Sequence, residues 1–271
     1  MRRNQLWTTG LLVVLGLGGL TLRGNAKDIR LDYRFKTAKT LRYLVERQDS
    51  LFLPETSGRK ASVSFFRIMQ SVRLLEEKGG DGFRISIVTD SLWKGPDTQS
   101  PVNQYEKMLF GTEFNAAEEK LTIAANGDAR SKHRRFIPFL IPLPLRSVTE
   151  DAAWGFSVTT PFQKPFEGHI LTSGDCQLYQ VVEESGDSLA MLSVRIDKSN
   201  NAEMSFREPY QTLTSLYETA DRGVGALYFN ISRGRMEKGV IQWSGTVRTQ
   251  EAGLEKVYRK KSRLTFRLLP E

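Results

Sequence analysis

The chain is poor in the residues that usually carry chemistry. One cysteine and two histidines stand among 271 residues. The lone thiol, Cys176, excludes an internal disulfide framework, so the fold must rest on its core. Cys176 lies in Cys176-Gln177-Leu178-Tyr179, a strand-like stretch, and reads as a buried thiol. His133, His169 and Cys176 lack zinc-ligand spacing. Gly-x-Ser-x-Gly elbows, phosphate loops and dinucleotide fingerprints are missing. Asp81, Asp90, Asp97, Asp175 and Asp187 sit near turns but compose no calcium loop. No catalytic residue, metal ligand or cofactor site is therefore assigned. Long apolar runs are also lacking: the longest, Leu11 to Leu22, is short of the roughly 20 residues that span a bilayer as a helix.

What is present begins with an export signal. Arg2 and Arg3 precede the apolar run, and Gly24-Asn25-Ala26 supplies small residues for cleavage after Ala26. Two readings stay open: a leader cleaved on export to the periplasm or beyond, and an uncleaved N-terminal anchor. No cysteine stands directly after Ala26 or near it, which argues against a lipoprotein. Losing Arg2, Arg3 and Arg23 takes three charges from +8 and leaves +5. Those charges alternate with apolar residues instead of clustering, so they give solubility and not a nucleic-acid footprint.

The rest of the chain has a period of two, the mark of strands with one sheltered face. Leu31, Tyr33 and Phe35 alternate with polar residues, and so do Leu41, Tyr43 and Val45; together they predict a hairpin. Further turns are predicted at Gly79-Gly80-Asp81-Gly82, Asn126-Gly127, Ser185-Gly186-Asp187-Ser188 and Arg233-Gly234. Such short returns make antiparallel pairs. Two stretches have helical spacing: Tyr105, Met108, Leu109 and Thr112, then Leu213, Leu216, Tyr217 and Ala220. Phe136 to Pro144 holds three prolines in an apolar run and reads as a packed extended segment. The expected fold is mostly β: a curved antiparallel sheet, half-barrel-like or an open barrel, with one or two short helices.

The expected organisation is a signal peptide over 1–26, a β-rich first half over 27–145 and a β-rich second half over 146–271, the halves forming one domain or two. A shift of 107 residues places Leu74-Leu75-Glu76-Glu77 on Val181-Val182-Glu183-Glu184, Gly79 on Gly186 and Gly127 on Gly234. Duplicated halves are one reading of that match, and shared hairpin spacing is the other.

Few clusters invite a function. Glu76-Glu77 and Glu183-Glu184 are neighbours on strands, point to opposite faces and so read as solvated turn charge, not as dyads. Arg130, Lys132, Arg134 and Arg135, with His133 among them, form the densest basic cluster and the candidate anion or headgroup patch. Lys256, Arg259, Lys260, Lys261 and Arg263 form a second. Basic residues beside an apolar segment suit peripheral contact with an anionic membrane. Trp93, Trp154 and Trp243 are candidates for a ligand pocket or for core packing.

The leader, the Tyr33-Arg34-Phe35 stretch, and the units Leu121 to Gly127 and Leu227 to Gly234 resemble exported bacterial β-rich proteins without an assigned function. The layout is also similar to the periplasmic lipoprotein carriers. That likeness implies a curved antiparallel sheet wrapped around short helices to hold acyl chains. It carries over no site residue. The expected role is a non-enzymatic envelope protein binding an apolar ligand or an envelope component, with no cofactor and no nucleic-acid partner. A structural or protein-interaction module is the alternative, and a hydrolase with an unrecognised site is a further one.

Overall fold

In the computed structural model, the described residues are 28–36, 39–52, 60–78, 82–95, 118–124, 127, 136–162, 167–184, 186–208, 211–251 and 254–270. Ten strands run in chain order: β1 (Thr40–Phe52), β2 (Lys60–Lys78), β3 (Gly82–Lys94), β4 (Glu118–Ala124), β5 (Ala153–Pro161), β6 (Glu167–Glu184), β7 (Asp187–Glu208), β8 (Gln211–Asn230), β9 (Arg235–Glu251) and β10 (Leu254–Leu268). They form one antiparallel sheet, ordered β4-β3-β2-β1-β10-β9-β8-β7-β6-β5, curled into a half-barrel. The signal-peptide stretch, the Tyr105 to Thr112 segment and the Arg130 to Arg135 patch lie outside the described residues.

Two meanders meet at a seam. β1 pairs with β10 from Tyr43↔Leu268 to Phe52↔Arg259, joining, at the centre of the sheet, the strands that come first and last in chain order. Returns fall at the predicted glycines: β2 ends at Lys78 and β3 starts at Gly82, β6 ends at Glu184 and β7 starts at Asp187. Beyond Glu203↔Leu216 the β7–β8 pairing continues to Glu208↔Gln211, while β6 stops at Glu203 and β9 at Leu216. This hairpin therefore projects past its neighbours as a two-stranded ribbon.

Two sequence expectations are corrected. Residues 211–230 are strand β8, not a helix: Tyr217, Thr219 and Asp221 are buried while Ala220 and Arg222 are exposed. No helix occurs among the described residues. The Leu31–Phe35 stretch is not a strand paired with β1. Leu31, Tyr33 and Phe35 are buried, yet among the described residues the only strand pairing nearby is the Ile29↔Val148 bridge. Alternation records one-sided burial and says nothing about a hydrogen-bonded neighbour.

The concave face holds the main core. Val45, Phe66, Ile68, Ile85, Ile123, Leu192, Phe229 and Phe266 point inward from the sheet. Against them lies the proline segment, with Phe136, Ile137, Phe139, Leu140, Ile141 and Leu143 buried. It is tied by side chains: Tyr33 Oη donates to the Ile141 carbonyl at 3.1 Å and Trp154 Nε1 to the Pro142 carbonyl at 3.0 Å. Prolines lack the N–H that a strand would use, so a packed plug is the outcome. A second, smaller core gathers Leu51, Ile170, Ala202, Tyr217, Val247 and Tyr258.

Candidate functional site

Two places on the described chain concentrate polar groups. The first is a buried ionic layer that sits in register between the two cores. The inward alternation of Leu41, Tyr43 and Val45 continues along β1 and turns Arg47 and Asp49 inward too. Arg47 Nε lies 3.0 Å from Asp49 Oδ1 and 2.9 Å from Oδ2, and Ser262 on β10 donates to the same carboxylate. Burial alone pushes the Asp49 carboxyl up. The Arg47 guanidinium, the Lys260 ammonium and the hydrogen bonds from Arg47 and Ser262 outweigh it and hold Asp49 below the usual carboxylate range.

The layer continues across β9. Lys260 on β10 and Asp221 on β8 are both in register with Gly245 of β9. Lys260 Nζ reaches over that glycine to Asp221 Oδ2 at 3.2 Å, with side chains only 3% and 4% exposed. A Cβ at Gly245 would run into the Asp221 carboxylate and the Ala220 carbonyl. Lys198 faces Asp221 in register on β7, and Asn200 donates to Thr219 at 2.6 Å beyond it.

The second place is a cleft of about 730 Å³ at the end of the half-barrel where β1 starts and β10 finishes. Arg34, Lys36, Lys39, Arg233 and Arg235 supply positive charge, with Glu237 as the one carboxylate among the described lining residues. Phe35, Leu41, Leu268 and Leu269 supply apolar surface. The cleft exists because the 31–36 segment leaves the interior there. The Arg34 N–H donates to the Gly234 carbonyl at 2.8 Å, across the β8–β9 turn. Gly234 has φ 62° and packs under Arg34, where a side chain would collide. Arg233 pairs with Asp187 at 2.8 Å and Arg235 with Glu237 at 3.1 Å. Arg34 and Lys36 are exposed.

The other sequence candidates separate. Lys260 is buried in the ionic layer, whereas Lys256, Arg259, Lys261 and Arg263 lie exposed on β10. Trp93 is 53% exposed against Phe65, while Trp154 and Trp243 pack on the main core from β5 and β9. Glu76, Glu77, Glu183 and Glu184 are exposed beside turns. His169 is exposed on β6, and Cys176 is buried. Burial pushes the Cys176 thiol up to about 12, with the Asp175 carboxylate adding to it. Sequence reasoning missed Asp49, Asp221 and the cleft residues. The continued alternation of β1 would have placed Asp49 inward; the cleft draws on segments far apart in the chain.

No family profile matches the chain, and no curated protein does. Among solved structures, similarity is recorded to a protein from a study titled "Asymmetric conductivity of engineered proteins" and to a mutant of the Rh. blastica porin. Each shows 8% identity and a TM-score of 0.24, with 84% of this chain and 99% of the other covered. A putative AttH from Nitrosomonas europaea shows 7% identity and a TM-score of 0.12, with 83% and 92% covered. Likeness this low bears on neither fold nor function.

Proposed function

We propose that this chain is an exported, non-enzymatic envelope protein that binds an anionic, partly apolar envelope component in the basic end cleft. The carrying observation is the lining of that cleft, where Arg34, Lys36 and Lys39 stand beside Phe35, Leu41 and Leu268. Its volume suits a headgroup-sized ligand. The concave face is the less suitable place, because the chain's own Phe136–Leu143 segment fills it. The leader-like residues around Ala26 support export.

The test uses the purified full chain and nanodiscs of phosphatidylglycerol or phosphatidylcholine. Binding should favour the anionic lipid and weaken with salt. Reversing Arg34 and Lys36 together to Glu should weaken it about tenfold or more, a change of ~1.4 kcal/mol. Equal binding to both lipids, or an unchanged affinity in the double variant, would remove the reading.

A protein-interaction role is the second reading. β5 pairs with β6 alone and β4 with β3 alone among the described residues, which leaves an outer edge on each that an added strand could use. A peptide-backbone inhibitor of strand addition would distinguish it, since lipid binding at the cleft would be indifferent to that reagent.

A further inference from the structure

The ionic layer contains an oxygen that lacks a donor. Asp221 Oδ1 is enclosed and has no hydrogen-bond partner, while Oδ2 receives Lys260. A carboxylate oxygen without a donor, out of reach of bulk water, is strongly disfavoured. Asp221 also lines a small pocket of about 20 Å³, together with Arg47, Phe136, Lys198, Trp243, Ser262 and Leu264.

We infer that this cavity is a binding site for one ordered water molecule, which donates to Asp221 Oδ1. The size and the orphan oxygen decide the occupant: the space admits a water-sized molecule, and Asp221 Oδ1 is the group beside it that lacks a donor. The charges decide the kind. An anion would meet the Asp221 carboxylate. A cation would meet Arg47, Lys198 and Lys260, all beside the site or paired to its acid. A neutral molecule that both donates and accepts suits every wall: it gives a proton to Oδ1 and takes hydrogen bonds from the cationic groups. Gly245 makes the arrangement feasible, since any side chain there would press on Asp221 and close the gap Lys260 crosses.

The water completes the layer. Lys260 satisfies one oxygen of Asp221 across β9, and the water satisfies the other toward Arg47 and Ser262, so the Arg47–Asp49 and Lys260–Asp221 pairs become one hydrated network. Removing it by filling the cavity would strand Oδ1.

A high-resolution crystal structure of the full chain tests this, with a second crystal soaked in bromide. The expected result is one density peak about 2.7–3.2 Å from Asp221 Oδ1, with no anomalous signal in the bromide data. In solution, oxygen-17 relaxation dispersion should count one fewer long-lived water in Leu264→Phe than in the unaltered chain. An anomalous peak, a cavity without density, or Lys198 Nζ seated on Oδ1 would overturn the assignment. Should Leu264→Phe fail to fold, the density in the unaltered protein still decides.

Discussion

Tyr43 and Phe139 lie face to face, their ring centroids 4.1 Å apart and their planes 5° from parallel. One ring belongs to β1 at the seam of the sheet, the other to the proline-rich plug. Phe266 meets both edge-on, at 6.4 and 6.1 Å. Tyr43 Oη also donates to the Met236 carbonyl at 2.9 Å, and burial pushes its hydroxyl well above the ordinary tyrosine range. The plug is thus held chiefly by ring packing and by side-chain bonds to its carbonyls.

Phe139→Ala should therefore destabilise the protein by ~3–5 kcal/mol, the usual loss for a buried phenylalanine. Urea unfolding measures it. A loss below about 1 kcal/mol would mean that the plug contributes little to the native state.

Lys260→Met and Asp221→Leu, made singly, should each cost ~3–5 kcal/mol, because each removes one half of a buried ion pair. The double variant should recover most of that loss. Gly245→Ala should also destabilise, by ~1–3 kcal/mol, through overpacking against Asp221. A double-mutant cycle followed by thermal unfolding checks the first two, and additive single losses would contradict the pairing.

Asp49 predicts an acid limb of stability. Its folded-state carboxyl is held below the unfolded value of about 3.9, so the native state binds the proton less readily than the unfolded state. The stabilisation is present above about pH 4 and fades as pH falls through the lower, folded value. Asp49→Asn should be less stable at neutral pH and should flatten that limb. Denaturation midpoints across the acid range provide the measurement.

Cys176 should resist thiol reagents in the native protein. Its thiol is buried and pushed up to about 12, so almost no thiolate forms near neutral pH. Reaction should appear only with denaturant. Rapid labelling of the folded chain would show that β6 opens locally.

Strands and turns were legible in the sequence because burial on one face leaves a period of two. Leu41, Tyr43 and Val45 on β1, and the glycine returns at Gly82 and Gly186, fall where that pattern puts them. Pairing was less legible. Leu31, Tyr33 and Phe35 alternate just as well, yet they line the plug side without a strand partner along most of their length. Leu213 to Ala220 has helical spacing by coincidence, and sheet neighbours on both sides of Tyr217 override it. The end cleft was illegible, since Arg34, Arg233 and Leu268 come together only when β1, β8, β9 and β10 assemble.

The β1–β10 seam has a kinetic consequence. Val45 meets Phe266 across more than two hundred intervening residues, so the centre of the sheet cannot close until the final strand has emerged. Two partial meanders, each with a raw inner margin, must coexist until then. Zippering of those margins should be the slow phase of refolding, and a chain shortened before Leu254 should be left with a sticky, aggregation-prone rim along β1.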